Sequence, residues 1–141
     1  MSLGHVKMKA FVDRYGSDLV RALKGSGIYF PVALAQVCQE SGYGLSIKAV
    51  SKNNFFSVMS GGKMKTFATP YDNFLAYRNA LLDGQKHQYI ANGLLTAKTP
   101  MAQLTAIANG GYCADPVPAE YIIVISEMMD KALSLYTTGK L

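Results

Sequence analysis

The residues whose types and order could do chemistry are Glu40-Ser41-Gly42-Tyr43-Gly44 and, a short loop later, Asn53-Asn54-Phe55-Phe56. The first run places a carboxylate at the end of an apolar helix and breaks that helix with glycines on either side of an aromatic. The second supplies paired amides and aromatic rings. Cleavage of a glycosidic bond needs such parts: an acid to protonate the departing oxygen, amides for sugar hydroxyls, and flat rings for sugar faces.

At about 100° per residue, Glu40 shares a helix face with Gln36 and Ala33, beside the Leu34, Val37 and Cys38 stripe. That places it on the border between core and solvent, the usual rim of a cleft. It also lies in the last helical turn, at the negative end of the macrodipole. Partial burial and the dipole both favour the neutral carboxyl, and a general acid needs a group still protonated near neutral pH. A solvated glutamate on a helix flank is the plainer reading of the same residue.

The elements that must hold these residues are mostly helical. Val6, Phe11, Val12, Tyr15, Leu19, Val20 and Leu23 recur at helical spacing, and Gly25-Ser26-Gly27 ends that helix. Pro31 suits the first turn of a second helix, which runs to about Glu40 and stops at Gly42 and Gly44. A short helix is expected from Leu45 to about Ser51. Phe55 to Met59 and Lys63 to Phe67 flank Ser60-Gly61-Gly62 and read as a small hairpin, the only sheet expected. A helix carrying Phe74, Leu75, Tyr77, Leu81 and Leu82 should end at Gly84, and a shorter one should cover Gln85 to Ala91. Thr99-Pro100 opens a further helix that ends at Gly110-Gly111. The last is opened by Asp115, read as its N-cap, and the prolines at 116 and 118, and carries Tyr121, Ile122, Ile125, Met128, Met129, Ala132 and Leu135. The expected fold is mostly α (α+β), one helical domain over residues 1–141 with one short β-hairpin.

Composition excludes several classes. Half of the 141 residues are apolar, with 9 Tyr and 6 Phe, so the chain can bury a core and is not disordered. The longest apolar run, Ile122 to Ile125 with Tyr121, is too short to span a membrane, and no membrane insertion is expected. No secretory-leader pattern opens the chain. The net charge of +5 favours an anionic partner, but the 14 basic residues are scattered, so no nucleic-acid partner is expected. His5 and His87 have no acidic or cysteine neighbours at ligand spacing, and neither metal nor cofactor is expected. Cys38 reads as a buried thiol, and its spacing from Cys113 leaves a disulfide open.

Glu40-Ser41-Gly42-Tyr43-Gly44 resembles the Glu-Ser-Gly-Trp-Gly signature of the bacterial cell-wall glucosaminidases of glycoside hydrolase family seventy-three. Ala35-Gln36 precedes it as that family's Ala-Gln does. Asn53-Asn54-Phe55-Phe56-Ser57-Val58 is similar to the family's Asn-Asn-Leu-Phe-Gly-Ile, and Gly111-Tyr112-Cys113-Ala114-Asp115-Pro116 to its Gly-Tyr-Ala-Thr-Asp-Pro. Three motifs in one order cover roughly residues 30 to 130. The resemblance implies a lysozyme-like fold, Glu40 as catalytic acid and Tyr112 as an active-site tyrosine that positions an N-acetyl group or a water. Gln36, Tyr43, Asn54 and Phe56 are the candidate substrate-binding residues. Tyr112 also reads as a core tyrosine in a glycine turn, and Asn54 and Phe56 as loop capping and packing.

The chain departs from the family at two points. Tyr43 stands where tryptophan is usual, and Ser41 to Tyr71 contains no acidic residue, whereas the family is described with an acid in that lobe. Ordinary glycosidases place two carboxylates about 5–5.5 Å or about 6.5–9.5 Å apart. Two mechanisms stay open: attack by the substrate's own acetamido oxygen, or water activated by a remote acid such as Asp72, which also reads as first-turn helix charge. The implied activity is that of an endo-beta-N-acetylglucosaminidase acting on peptidoglycan glycan strands. It would be a monomer, secreted, periplasmic or cell-wall associated, with a phage or dedicated export route left open. The alternatives are a muramidase or lytic transglycosylase on the same fold, and a non-catalytic cell-wall-binding or assembly module.

Overall fold

A computed structural model describes residues 1–83, 88–113, 117–136 and 139–141. In chain order its elements are α1 (Leu3–Leu23), α2 (Phe30–Ser41), α3 (Ile47–Lys52), β1 (Met59–Ser60), β2 (Lys63–Met64), α4 (Pro70–Leu82), α5 (Gln88–Ala91), α6 (Pro100–Asn109) and α7 (Pro118–Leu135). The mostly helical expectation holds, with one antiparallel hairpin pairing Met59 with Met64 and Ser60 with Lys63. No helix among the described residues is long and apolar enough to cross a membrane.

Helix α2 is the centre of the fold. It packs chiefly on α7 and also on α6 and α1, while α1 lies against α4 and α7. Every residue from Phe30 to Cys38 is buried, so α2 is enclosed on all sides rather than along one stripe. Its small and apolar residues, with Gln36 the one polar exception within that run, permit this. Only at Gln39 and Glu40 does the helix reach solvent. Burial pushes the Cys38 thiol up to about 12, and it is not bonded to Cys113.

Most boundaries follow local chemistry. The hydroxyls of Ser2, Ser46, Thr69 and Thr99 accept backbone N–H groups in the first turns of α1, α3, α4 and α6. One expectation is corrected. The strands are two residues each rather than five, because the Asn54 amide takes the Val58 N–H and the Lys65 carbonyl that would otherwise pair with each other, although Lys65 N–H still reaches Val58 O at 3.0 Å. Helix α7 is described from Pro118, one of the prolines expected to open it, whose fixed φ suits the first turn. Asp115, Gly84 and the expected 85–87 portion of α5 lie outside the described residues.

An aromatic chain ties the hairpin region to the helices. Phe55 contacts Tyr15 of α1 at 4.8 Å and Phe74 of α4 at 6.0 Å between ring centres, while Phe56 stacks on Tyr77 of α4 at 3.9 Å. Adjacent residues thus anchor opposite sides of one wall.

The turn after α2 carries a tight approach. Gly42, Tyr43 and Gly44 have φ of 57°, 62° and 76° in succession, reversing the chain. Ser41 holds the reversal, its hydroxyl donating to Val37 O and accepting from Gly44 N–H. A Cβ at Gly44 would stand 2.8 Å from the Phe11 ring, whereas one at Gly42 would meet nothing within 4 Å. Gly44→Ala is therefore expected to cost about 2–4 kcal/mol, the left-handed penalty plus overpacking. Gly42→Ala should lose only about 1 kcal/mol. Urea unfolding of the pair checks this, and equal losses would refute the steric account.

Candidate active site

Glu40 opens into a cleft of about 350 Å³ lined by Phe56, Ser57, Val58, Tyr77, Ala80, Tyr89, Tyr112 and Cys113. Helix α2 supplies the carboxylate, the loop before β1 supplies residues 56–58, and α4 and α5 supply Tyr77 and Tyr89. The turn after α6 supplies Tyr112 and Cys113. Glu40, Phe56 and Tyr112, which are 16 and 56 residues apart along the chain, are thereby brought to one hollow.

The walls are aromatic. Tyr112 is half-buried, edge-on to Tyr77 at 6.3 Å and tilted against Tyr121 at 6.1 Å. Burial pushes the Tyr112 hydroxyl well above its ordinary range, helped by the nearby Tyr77, Tyr121, Glu40 and Tyr89, so it stays protonated as a donor. Burial likewise raises the Glu40 carboxyl above its ordinary value, and hydrogen bonding from Ser57 opposes the rise. The expected direction therefore holds, with desolvation as its main cause. Among the described residues that line the cleft, Glu40 is the only carboxylate and no lysine, arginine or histidine is present.

Three expected substrate contacts are corrected in position. Gln36 is fully buried beneath the cleft, one turn before Glu40. Its amide donates to the Tyr121 hydroxyl at 3.1 Å and its carbonyl accepts from the Tyr77 hydroxyl. It sets the rings rather than meeting a ligand. Asn54 is also fully buried and spends its amide on the loop and on α4: it donates to Val58 O and Lys65 O and accepts from Val58 N–H and Asn73 Nδ2. Tyr43 faces a different hollow, of about 370 Å³, with Phe11, Tyr15, Leu45 and Val50. The succession of left-handed residues turns its ring to the α1 side. That second hollow contains no carboxylate, so the proton chemistry belongs to the Glu40 cleft.

Sequence reasoning missed Ser57, Tyr77 and Tyr89. Tyr77 read as part of the α4 core stripe, and Tyr89 carried no pattern. Ser57 had one signal, for it stands where the resembled motif has glycine. Asp72, the remote acid considered above, is exposed in the first turn of α4, where its N–H is capped by Thr69, and it does not line the cleft.

A central buried helix delivering one half-buried carboxylate to an aromatic cleft defines a lysozyme-like glycoside hydrolase domain. Residues 16–132 match the Glucosaminidase family, described as mannosyl-glycoprotein endo-beta-N-acetylglucosaminidase, and the chain belongs to that family. Two solved structures share its fold. The glycoside hydrolase domain of FlgJ from Salmonella typhimurium is 20% identical, with TM-score 0.69, over 91% of this chain and 89% of that one. A peptidoglycan hydrolase from Sphingomonas sp. A1 is 18% identical, with TM-score 0.65, over 94% of this chain and 97% of that one. No curated protein sequence matches the chain.

Proposed function

We propose that this glycoside hydrolase is a peptidoglycan hydrolase, an endo-beta-N-acetylglucosaminidase that cleaves the β-1,4 bond after N-acetylglucosamine. It would act as one domain and as a monomer at the cell wall. The observation that carries the reading is the Glu40 carboxyl, half-buried and with raised proton affinity, facing the Tyr112 hydroxyl across an aromatic cleft. Glu40 protonates the departing glycosidic oxygen. Phe56 and Tyr77 form part of the apolar wall against which a sugar ring can lie. Tyr112, held protonated, donates a hydrogen bond that orients the acetamido group.

The lack of a second carboxylate among the described cleft residues favours attack by the substrate's own acetamido oxygen on the anomeric carbon. The exposed position of Asp72 weighs against the remote-acid route. Mass spectrometry of digested muropeptides tests the reading. Reducing N-acetylglucosamine ends are expected, whereas anhydromuramic ends would mean a lytic transglycosylase, for which a lone acid also suffices.

The pH profile follows from the same group. Glu40 must carry its proton to act, so kcat/KM should fall as pH rises through its pKa. Because burial raises that pKa, the basic limb is expected above the ordinary value of 4.5. A limb at or below that value in a pH series would remove Glu40 from the role of acid.

A further inference from the structure

Ser57 is one of three non-glycine residues with positive φ among the described residues, at 56°, a region that costs a side chain about 1–2 kcal/mol and marks sites where surroundings over-determine the backbone. The surroundings here are visible. The next residue, Val58, is gripped on both its backbone groups by Asn54, which accepts its N–H and donates to its carbonyl, both at 2.9 Å. Asn54 is itself fixed by the Asn73 amide, and Asn73 accepts the Phe55 N–H. The buried amide pair thus locks the turn from Phe55 to Val58 onto α4. In that turn Phe55 and Phe56 go into the core, and Ser57 is left with its side chain in the Glu40 cleft. The other two such residues, Tyr43 and Asn53, sit in helix-terminating turns outside the cleft.

We propose that Ser57 is a positioning residue for Glu40: its hydroxyl, carried into the cleft by the left-handed turn that Asn54 clamps, donates to one carboxyl oxygen and leaves the other to carry the transferable proton. A carboxyl group free to rotate would present its O–H to substrate only part of the time. A donor fixed on one oxygen selects the other as the acid. After the proton leaves, the same hydroxyl stabilises the carboxylate that remains. No fixed cation in the described cleft shares that task, since the titratable groups facing Glu40 are Tyr77, Tyr89, Tyr112 and Cys113, with Tyr121 behind them.

The inference rests on Glu40 as the acid, and its test separates the two. Ser57→Gly and Ser57→Ala both delete the hydroxyl, but glycine relieves the left-handed strain and alanine keeps it. The Glu40 carboxyl carbon is followed by NMR titration in the wild type and both variants, which needs no substrate. Both variants are expected to move the Glu40 midpoint to higher pH, with the basic limb of activity moving the same way and kcat falling about five- to tenfold. Thermal stability should be held or raised in Ser57→Gly alone. A Glu40 midpoint unchanged in both variants would overturn the positioning role, whatever activity does. A moved midpoint with an unmoved activity limb would leave the Ser57–Glu40 contact standing and reject Glu40 as the acid.

Discussion

Replacing Glu40 by Gln is expected to lower kcat/KM on peptidoglycan by about 10²–10⁴-fold, the usual worth of a positioned general acid. The variant should not unfold. Gln keeps the shape of Glu and can still accept from Ser57, and it avoids burying a charge. The linkage sign makes this specific. The folded-state pKa of Glu40 lies above its unfolded value, so between the two the native state binds more protons. Stability contributed by the group is therefore present at low pH and declines as pH rises through that window. Above that window the wild type carries a desolvated carboxylate, and there Glu40→Gln should be as stable as wild type or more so. Turbidity loss of purified sacculi and thermal melts at acidic and neutral pH check both halves. A variant that keeps wild-type lysis would end the acid assignment. Wall binding without lysis by the wild type would favour a non-catalytic module.

The second large effect is on stability and falls at Asn54→Ala. The change deletes four hydrogen bonds at once and leaves Val58 N–H, Lys65 O and the Asn73 amide without their partner, while Val58 O keeps the Lys65 N–H. Each buried polar group left unsatisfied costs about 1–3 kcal/mol, and water can reach the groups nearer the hairpin. The sum expected is about 3–5 kcal/mol, at the upper end of what single substitutions do. In a chain of this size that is a fall in Tm of roughly 10–20 °C. Calorimetry measures it directly, and a loss under about 1 kcal/mol would show that Asn54 does not clamp the turn. Activity should fall alongside, since Ser57 and Phe56 depend on the same turn.

Much of this fold was legible because its signals are local. Prolines 31, 70, 100 and 118 mark helix starts, threonines 69 and 99 cap two of them, and the glycines at 42 and 44 stop α2. The hairpin was found but drawn too long. Periodicity cannot report that a side-chain amide takes an N–H and a carbonyl that a ladder would pair. The same blindness affected the site. Paired amides at 53 and 54 read equally well as sugar ligands or as loop caps, and the difference is whether they face water. Asn53 donates to Phe67 O and Ala68 O, and Asn54 is sealed, so both amides are committed to the lobe.

By itself the sequence determined that a carboxylate would end a buried helix at its solvent border, because helical spacing and terminating glycines are properties of neighbouring residues. The tertiary structure alone decided what that carboxylate faces. Tyr77, Tyr89, Tyr112 and Ser57 come from separate elements, and their meeting depends on how α4, α5 and the turn after α6 close around α2. It also decided that Tyr43 turns away and that Gln36 and Asn54 serve from beneath. Burial and direction of a side chain are set by long-range packing, which no local spacing encodes.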